Sequence, residues 1–96
     1  MLRLHDITTT LATHRVALFR KYHLTELGVF GSIARGDHNA DSDIDIVIDY
    51  EGSMGLEFVD LADELERILH HKVDLVSKKA IRPKLLERIK TELVYV

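Results

Sequence analysis

The chain has no cysteine, no tryptophan and a single proline in 96 residues. Without cysteine, neither a disulfide framework nor a thiolate metal site is available, so stability must come from a packed core. The lone proline, Pro83, marks the boundary of an element, and neither a repeat nor a low-complexity segment divides the sequence. Basic charge is also in short supply. The 13 Lys and Arg stand against 16 Asp and Glu, a formal charge of −3, which leaves no field for sequence-independent binding of nucleic acid. The N-terminus has no signal-type apolar run, and no stretch approaches the roughly 20 apolar residues a membrane span requires. These absences point to one small cytoplasmic domain over residues 1–96 that handles a small ligand or a protein partner. The 46% apolar content suffices for a core, since a chain of this size buries somewhat more than about 60% of its unfolded surface.

What is present alternates between two periodicities. Ile7, Leu11, Leu18 and Tyr22 recur at helical spacing, with Val16 and Phe19 alongside, and Asp6 is the expected N-cap. Leu27 to Phe30 is a short apolar run that reads as a strand delivering Gly31 and Ser32 to its end, and Ser32 to Arg35 is expected to open a short helix capped by the serine hydroxyl. Gly36 to Ser42 is a polar loop. From Asp43 the chain alternates: Ile44, Ile46, Ile48 and Tyr50 face one side, and Asp43, Asp45, Val47 and Asp49 the other. Phe58, Leu61, Ala62, Leu65, Ile68 and Leu69 then mark an amphipathic helix. Val73 to Val76 is a strand carrying Asp74, a last helix is expected from Pro83 with Leu85, Leu86 and Ile89 inward, and Leu93 to Val96 reads as a terminal strand. The order predicts an α/β fold, a mixed β-sheet of about four strands packed with helices.

Three features of this pattern bear on chemistry. Asp43 and Asp45 sit two apart on a strand, so their carboxylates project from one face and repel each other unless a cation lies between them. Mg²⁺ suits such a pair because it takes oxygen ligands and completes its shell with phosphates and water. A third carboxylate, Asp74 on a neighbouring strand, would allow a second ion about 3.5 to 4 Å from the first. Ahead of the pair, Gly31 lets backbone approach a phosphate, Ser32 offers an N–H and a hydroxyl, and Arg35, one helical turn further on, can reach a phosphate or the leaving pyrophosphate.

The pattern Gly31-Ser32, ten residues, Asp43-x-Asp45, with Ala34-Arg35-Gly36-Asp37 between and Asp74 on a later strand, resembles the DNA polymerase β-type nucleotidyltransferase superfamily. Within it the short chain is similar to the minimal nucleotidyltransferases, the antitoxin partners of HEPN-domain toxins. That resemblance covers nearly the whole chain. It implies Mg²⁺-dependent transfer of AMP from ATP to a hydroxyl, with release of pyrophosphate, the acceptor being a tyrosine of the toxin in a hetero-oligomer. It also implies that Gly31 and Ser32 bind the triphosphate, Asp43 and Asp45 hold both metals, and Asp74 holds the catalytic metal and helps deprotonate the acceptor. Two alternatives stay open: an antitoxin that neutralises by binding alone, and a transferase acting on a small molecule such as an aminoglycoside.

Other polar residues have plainer readings. Arg35 could simply pair with Asp37, and Asp41 and Asp49 are expected to be solvated. His70-His71 at a helix end would point in different directions, which disfavours a metal site. His38 reads as a loop residue, Tyr50 and Phe58 as core, and Lys78, Lys79, Arg82 and Lys84 as a solvated stretch.

Overall fold

The computed structural model describes residues 2–96. Among them the order is α1 (Leu4–Tyr22), β1 (Leu24–Phe30), α2 (Gly31–Arg35), β2 (Ile44–Tyr50), α3 (Glu57–Leu69), β3 (Val73–Ser77), α4 (Pro83–Lys90) and β4 (Val94–Tyr95). The strands form a four-stranded sheet in the order β3-β2-β1-β4. β1 runs antiparallel to both β2 and β4, and β2 runs parallel to β3. The sheet is therefore mixed, as the element order predicts. The one parallel pair is joined by α3, the usual crossover for such a connection.

The alternation in β2 decides how the sheet is clothed. Ile44, Ile46 and Ile48 are fully buried and share a core with Leu27 and Val29 of β1, Ile7, Leu11 and Leu18 of α1, and Leu61 and Leu65 of α3. Each such side chain contributes roughly 1.5 to 3 kcal/mol on removal from water. The opposite face carries Phe30, Asp45 and Asp74 side by side and is partly roofed by α4, whose Ile89 is buried.

Several local details differ from the sequence reading. Helix α1 starts at Leu4, ahead of Ile7, because the C=O of Arg3 accepts the Ile7 N–H at 3.1 Å. Asp6 then lies inside the first turn, where its charge still favours the helix dipole but caps nothing. The short α2 begins at Gly31, with Phe30 at the N-cap and no side-chain cap, so the Ser32 hydroxyl is left free of that duty. Val16 is exposed. Leu85 is 47% exposed instead of inward, because the space beneath it is a cleft that also reaches Asp45. Helices α1 and α3 end on His23 and His70 in the left-handed region, φ 55° and 52°. That turn sends His70 into solvent and His71 back over the sheet, and no shared metal site arises from the pair.

Candidate active site

Three elements meet at the edge of the sheet where β1 ends and β2 and β3 begin. Phe30 lies opposite Asp45 in the antiparallel ladder, and Asp45 lies opposite Asp74 in the parallel one. Two carboxylates are thereby placed on one face of adjacent strands, with Asp43 two residues before Asp45. The approach to this row is pinned by hydrogen bonds. His71 Nε2 lies 2.7 Å from the C=O of Ser42, the Ile44 N–H donates to the C=O of Lys72, and the Val73 N–H donates to Glu66 Oε2. These bonds fix the chain on either side of the acidic row.

Gly31 has φ +75°, and a Cβ placed there would lie 2.0 Å from Asp45 Oδ2. Two requirements therefore coincide at this glycine: a left-handed backbone and contact between its α-carbon and a carboxylate. The carboxyl of Asp45 is pushed up to about 6, first by burial and then by Asp74 and Asp43, with Arg35 opposing. Such a site is short of positive charge.

A cleft of about 380 Å³ opens above it, lined among others by Gly31, Ser32, Arg35, Asp45, Arg88 and Glu92. Of the residues singled out in the sequence, Gly31, Ser32, Arg35 and Asp45 converge here, whereas Asp43 and Asp74 flank Asp45 without lining the cleft. Among the described residues no group of three His, Cys, Asp or Glu side chains is gathered into a finished metal site. The donor chemistry nonetheless fits a hard cation: carboxylates in register on neighbouring strands, mutually repelling, and one of them buried enough to hold its proton too tightly.

Arg35 forms ion pairs to both sides. Its Nε lies 3.0 Å from Asp37 Oδ2 and its Nη1 2.6 Å from Glu92 Oε2. Glu92, whose side chain is largely buried, and Arg88 were missed in the sequence. A signal existed: Leu85, Arg88, Ile89 and Glu92 fall at i, i+3, i+4 and i+7, one helical face, but its charged members obscured it. His38 is tied to the C=O of Leu2 at 2.6 Å, Lys79 pairs with Asp49 at 3.0 Å, and Lys78 pairs with Glu26, so these stand as structural contacts. Tyr50 and Phe58 pack partly buried against the core.

The nucleotidyltransferase domain model matches residues 12–96, nearly the whole chain. The chain belongs to the nucleotidyltransferase domain family. This nucleotidyltransferase is 38% identical over 97 residues to the protein adenylyltransferase MntA of Thermococcus cleftensis, covering 100% of this chain and 98% of that one. It is also similar to a solved structure assigned as a minimal nucleotidyltransferase, with TM-score 0.77 and 31% identity over 94% of this chain and 95% of that one. A crystal structure of a toxin-antitoxin with AMP-PNP contains a chain similar at TM-score 0.73 and 26% identity, covering 86% of this chain and 69% of that one. The fold and the enzyme class implied by the Gly-Ser and Asp-x-Asp pattern are thus those of the family.

Proposed function

We propose that this nucleotidyltransferase is the antitoxin of a toxin–antitoxin pair and silences its partner, a HEPN-domain toxin, by transferring AMP from ATP to a tyrosine hydroxyl. The observation that carries the reading is the placement of Gly31 against the half-buried Asp45, with Asp74 in register beside it and Ser32 and Arg35 in the same cleft. The full-length similarity to a protein adenylyltransferase supports a protein acceptor, and the similarity to a toxin–antitoxin structure with AMP-PNP supports both the partner and an adenine nucleotide. Residues 1–96 act as one minimal domain. Such a reaction belongs in the cytoplasm, and among the described residues no helix is long and apolar enough to cross a membrane.

In this reading Gly31 and Ser32 hold the triphosphate through backbone N–H groups and the serine hydroxyl, and Arg35 offers its guanidinium to the same phosphates. Asp43, Asp45 and Asp74 would hold two Mg²⁺ ions, which when bound supply the positive charge that phosphoryl transfer needs. The acceptor oxygen forms a bond to the α-phosphorus as the bond from that phosphorus to the bridging oxygen breaks. Pyrophosphate leaves with that electron pair, and the acceptor proton passes to a carboxylate oxygen of Asp74. Most of the rate gain comes from alignment of the two reactants.

The test incubates the protein with α-labelled ATP, Mg²⁺ and the protein encoded beside it. Label should move to the partner, and an Asp43→Asn, Asp45→Asn double variant should lose at least about 10²-fold in rate, as expected when charge-stabilising groups are removed. Equal transfer by the variant, or none by the unaltered protein, would overturn the reading. Protection of cells by the variant at full strength would point to neutralisation by occlusion.

A further inference from the structure

Beside the carboxylate row, the outer edge of the sheet holds a second feature that the chemistry above does not use. Strand β3 is one edge of the sheet and, among the described residues, pairs only with β2. The C=O of Lys72 accepts the Ile44 N–H at 3.0 Å, and the Lys78 N–H donates to the C=O of Ile48 at 2.9 Å. Even-numbered residues of this strand therefore turn their backbone groups toward β2, and Val73, Leu75 and Ser77 turn theirs outward. Two of those outward groups are already taken: the Val73 N–H by Glu66 Oε2 at 2.9 Å, and the Ser77 C=O by the Ala80 N–H at 3.0 Å. Between them, among the described residues, the N–H and C=O of Leu75 face outward with no partner in the chain.

A groove of about 550 Å³ lies along this gap. Its apolar lining comes from both sides of the edge: Met54, Phe58 and Tyr50 above, Ile81 and Leu85 below. Inside it Ser77 Oγ donates to Tyr50 Oη at 3.2 Å, so those hydroxyls are engaged with each other and offer little to the polar rim of a nucleobase. Arg82 stands at the margin, exposed and in no ion pair among the described residues. Leu85 lines this groove and the catalytic cleft alike, so the two are neighbours across that side chain.

We infer that the β3 edge docks an extended segment of the acceptor protein, which pairs with the backbone of Leu75, buries apolar side chains on both sides of the edge and sets an acidic residue against Arg82. An unpaired donor and acceptor on a sheet edge are satisfied by an added strand, and a strand buried on both faces is a short apolar run. A residue of that segment one step from the pairing point lies beside Asp74, the carboxylate at the start of the same strand. Docking at this edge thus delivers an acceptor hydroxyl to the row of carboxylates. The owner of the segment rests on the reading of the chain as a protein-modifying transferase; the docking itself does not.

The test uses a blocked peptide, Glu-Val-Tyr-Val-Glu, titrated without ATP into isotope-labelled protein while amide hydrogen exchange is followed by NMR. Exchange at Leu75 should slow several-fold at saturation. Ile81→Asp should weaken peptide binding about tenfold, the size of a buried anchor contact, with affinity for MgATP unchanged. Failure to bind at several millimolar, unchanged exchange at Leu75, or perturbation confined to Gly31 through Arg35 would overturn the docking site. A loss of nucleotide affinity in Ile81→Asp with peptide binding intact would also overturn it, by assigning the groove to the base. Because binding is read without nucleotide, its result is independent of whether transfer to a protein hydroxyl occurs.

Discussion

The two faces of the same sheet obey opposite rules. On the face covered by α1 and α3, Ile44, Ile46 and Ile48 meet Leu11, Leu61 and Leu65 with no measurable exposure. On the other face the alternate residues are Asp45, opposite Asp74, and the Asp45 carboxyl is displaced from its ordinary range by burial and by its like-charged neighbours. One face stores stability; the other gives some up to keep charge at the floor of a cleft. A strand can do both because its side chains alternate, so that function on one face leaves packing on the other undisturbed.

Substitutions should separate the two faces cleanly. The largest effect on folding is expected from Leu65→Ala, which opens a cavity among fully buried residues and should cost about 2 to 5 kcal/mol. Chemical denaturation should register that loss while the rate per folded molecule stays unchanged. Gly31→Ala sits at the boundary. The strain of a left-handed alanine costs on the order of 1 to 2 kcal/mol, and the new methyl must displace Asp45, so activity should fall as far as it does for Asp45→Asn. Retained activity with lowered stability would show that the glycine serves only the turn.

A smaller effect is expected from Glu92→Gln. It removes one of the two carboxylates that hold Arg35, so the KM for ATP should shift by a factor of a few with kcat little changed, whereas a change in kcat alone would place Glu92 at the reacting atoms. The smallest effect is a pH signature. Asp45 binds its proton more tightly in the fold, near a pKa of about 6 against an ordinary 3.8. The folded protein therefore holds more protons than the unfolded one in that interval, and stability falls as pH rises from about 4 to about 6, remaining low above it. Asp45→Asn should raise Tm by roughly 4 °C at pH 8 if about 1 kcal/mol is relieved, and should leave Tm unchanged at pH 4. A gain that is equal at both pH values would remove charge repulsion as its cause.

How much of this was legible in the sequence varies with the range of the interactions involved. The amphipathic spacing of α3, the alternation of β2 and the proline that opens α4 are local patterns, and they identify elements without knowledge of their neighbours. Element ends were less legible. The start of α1 depends on the C=O of Arg3, which no side-chain preference encodes, and the start of α2 lies one residue ahead of Ser32, at the left-handed turn of Gly31. The inward orientation expected of Leu85 failed because the face it covers is a cleft. Periodicity marks which residues share a face; it does not say whether the partner surface is packed or open.

The sequence by itself determined the elements and the family pattern of Gly31-Ser32 and Asp43-x-Asp45, because each rests on residue type and short spacing; that Asp74 falls beside Asp45 rests on the register of β2 and β3. Only the tertiary structure decided that Asp45 presses against the α-carbon of Gly31, that Glu92 reaches across 57 residues of chain to hold Arg35, and that the backbone of Leu75 is left open at the sheet edge. Those relations depend on strand order and register, and register is set by the packing of the whole apolar face, which no local stretch of sequence contains.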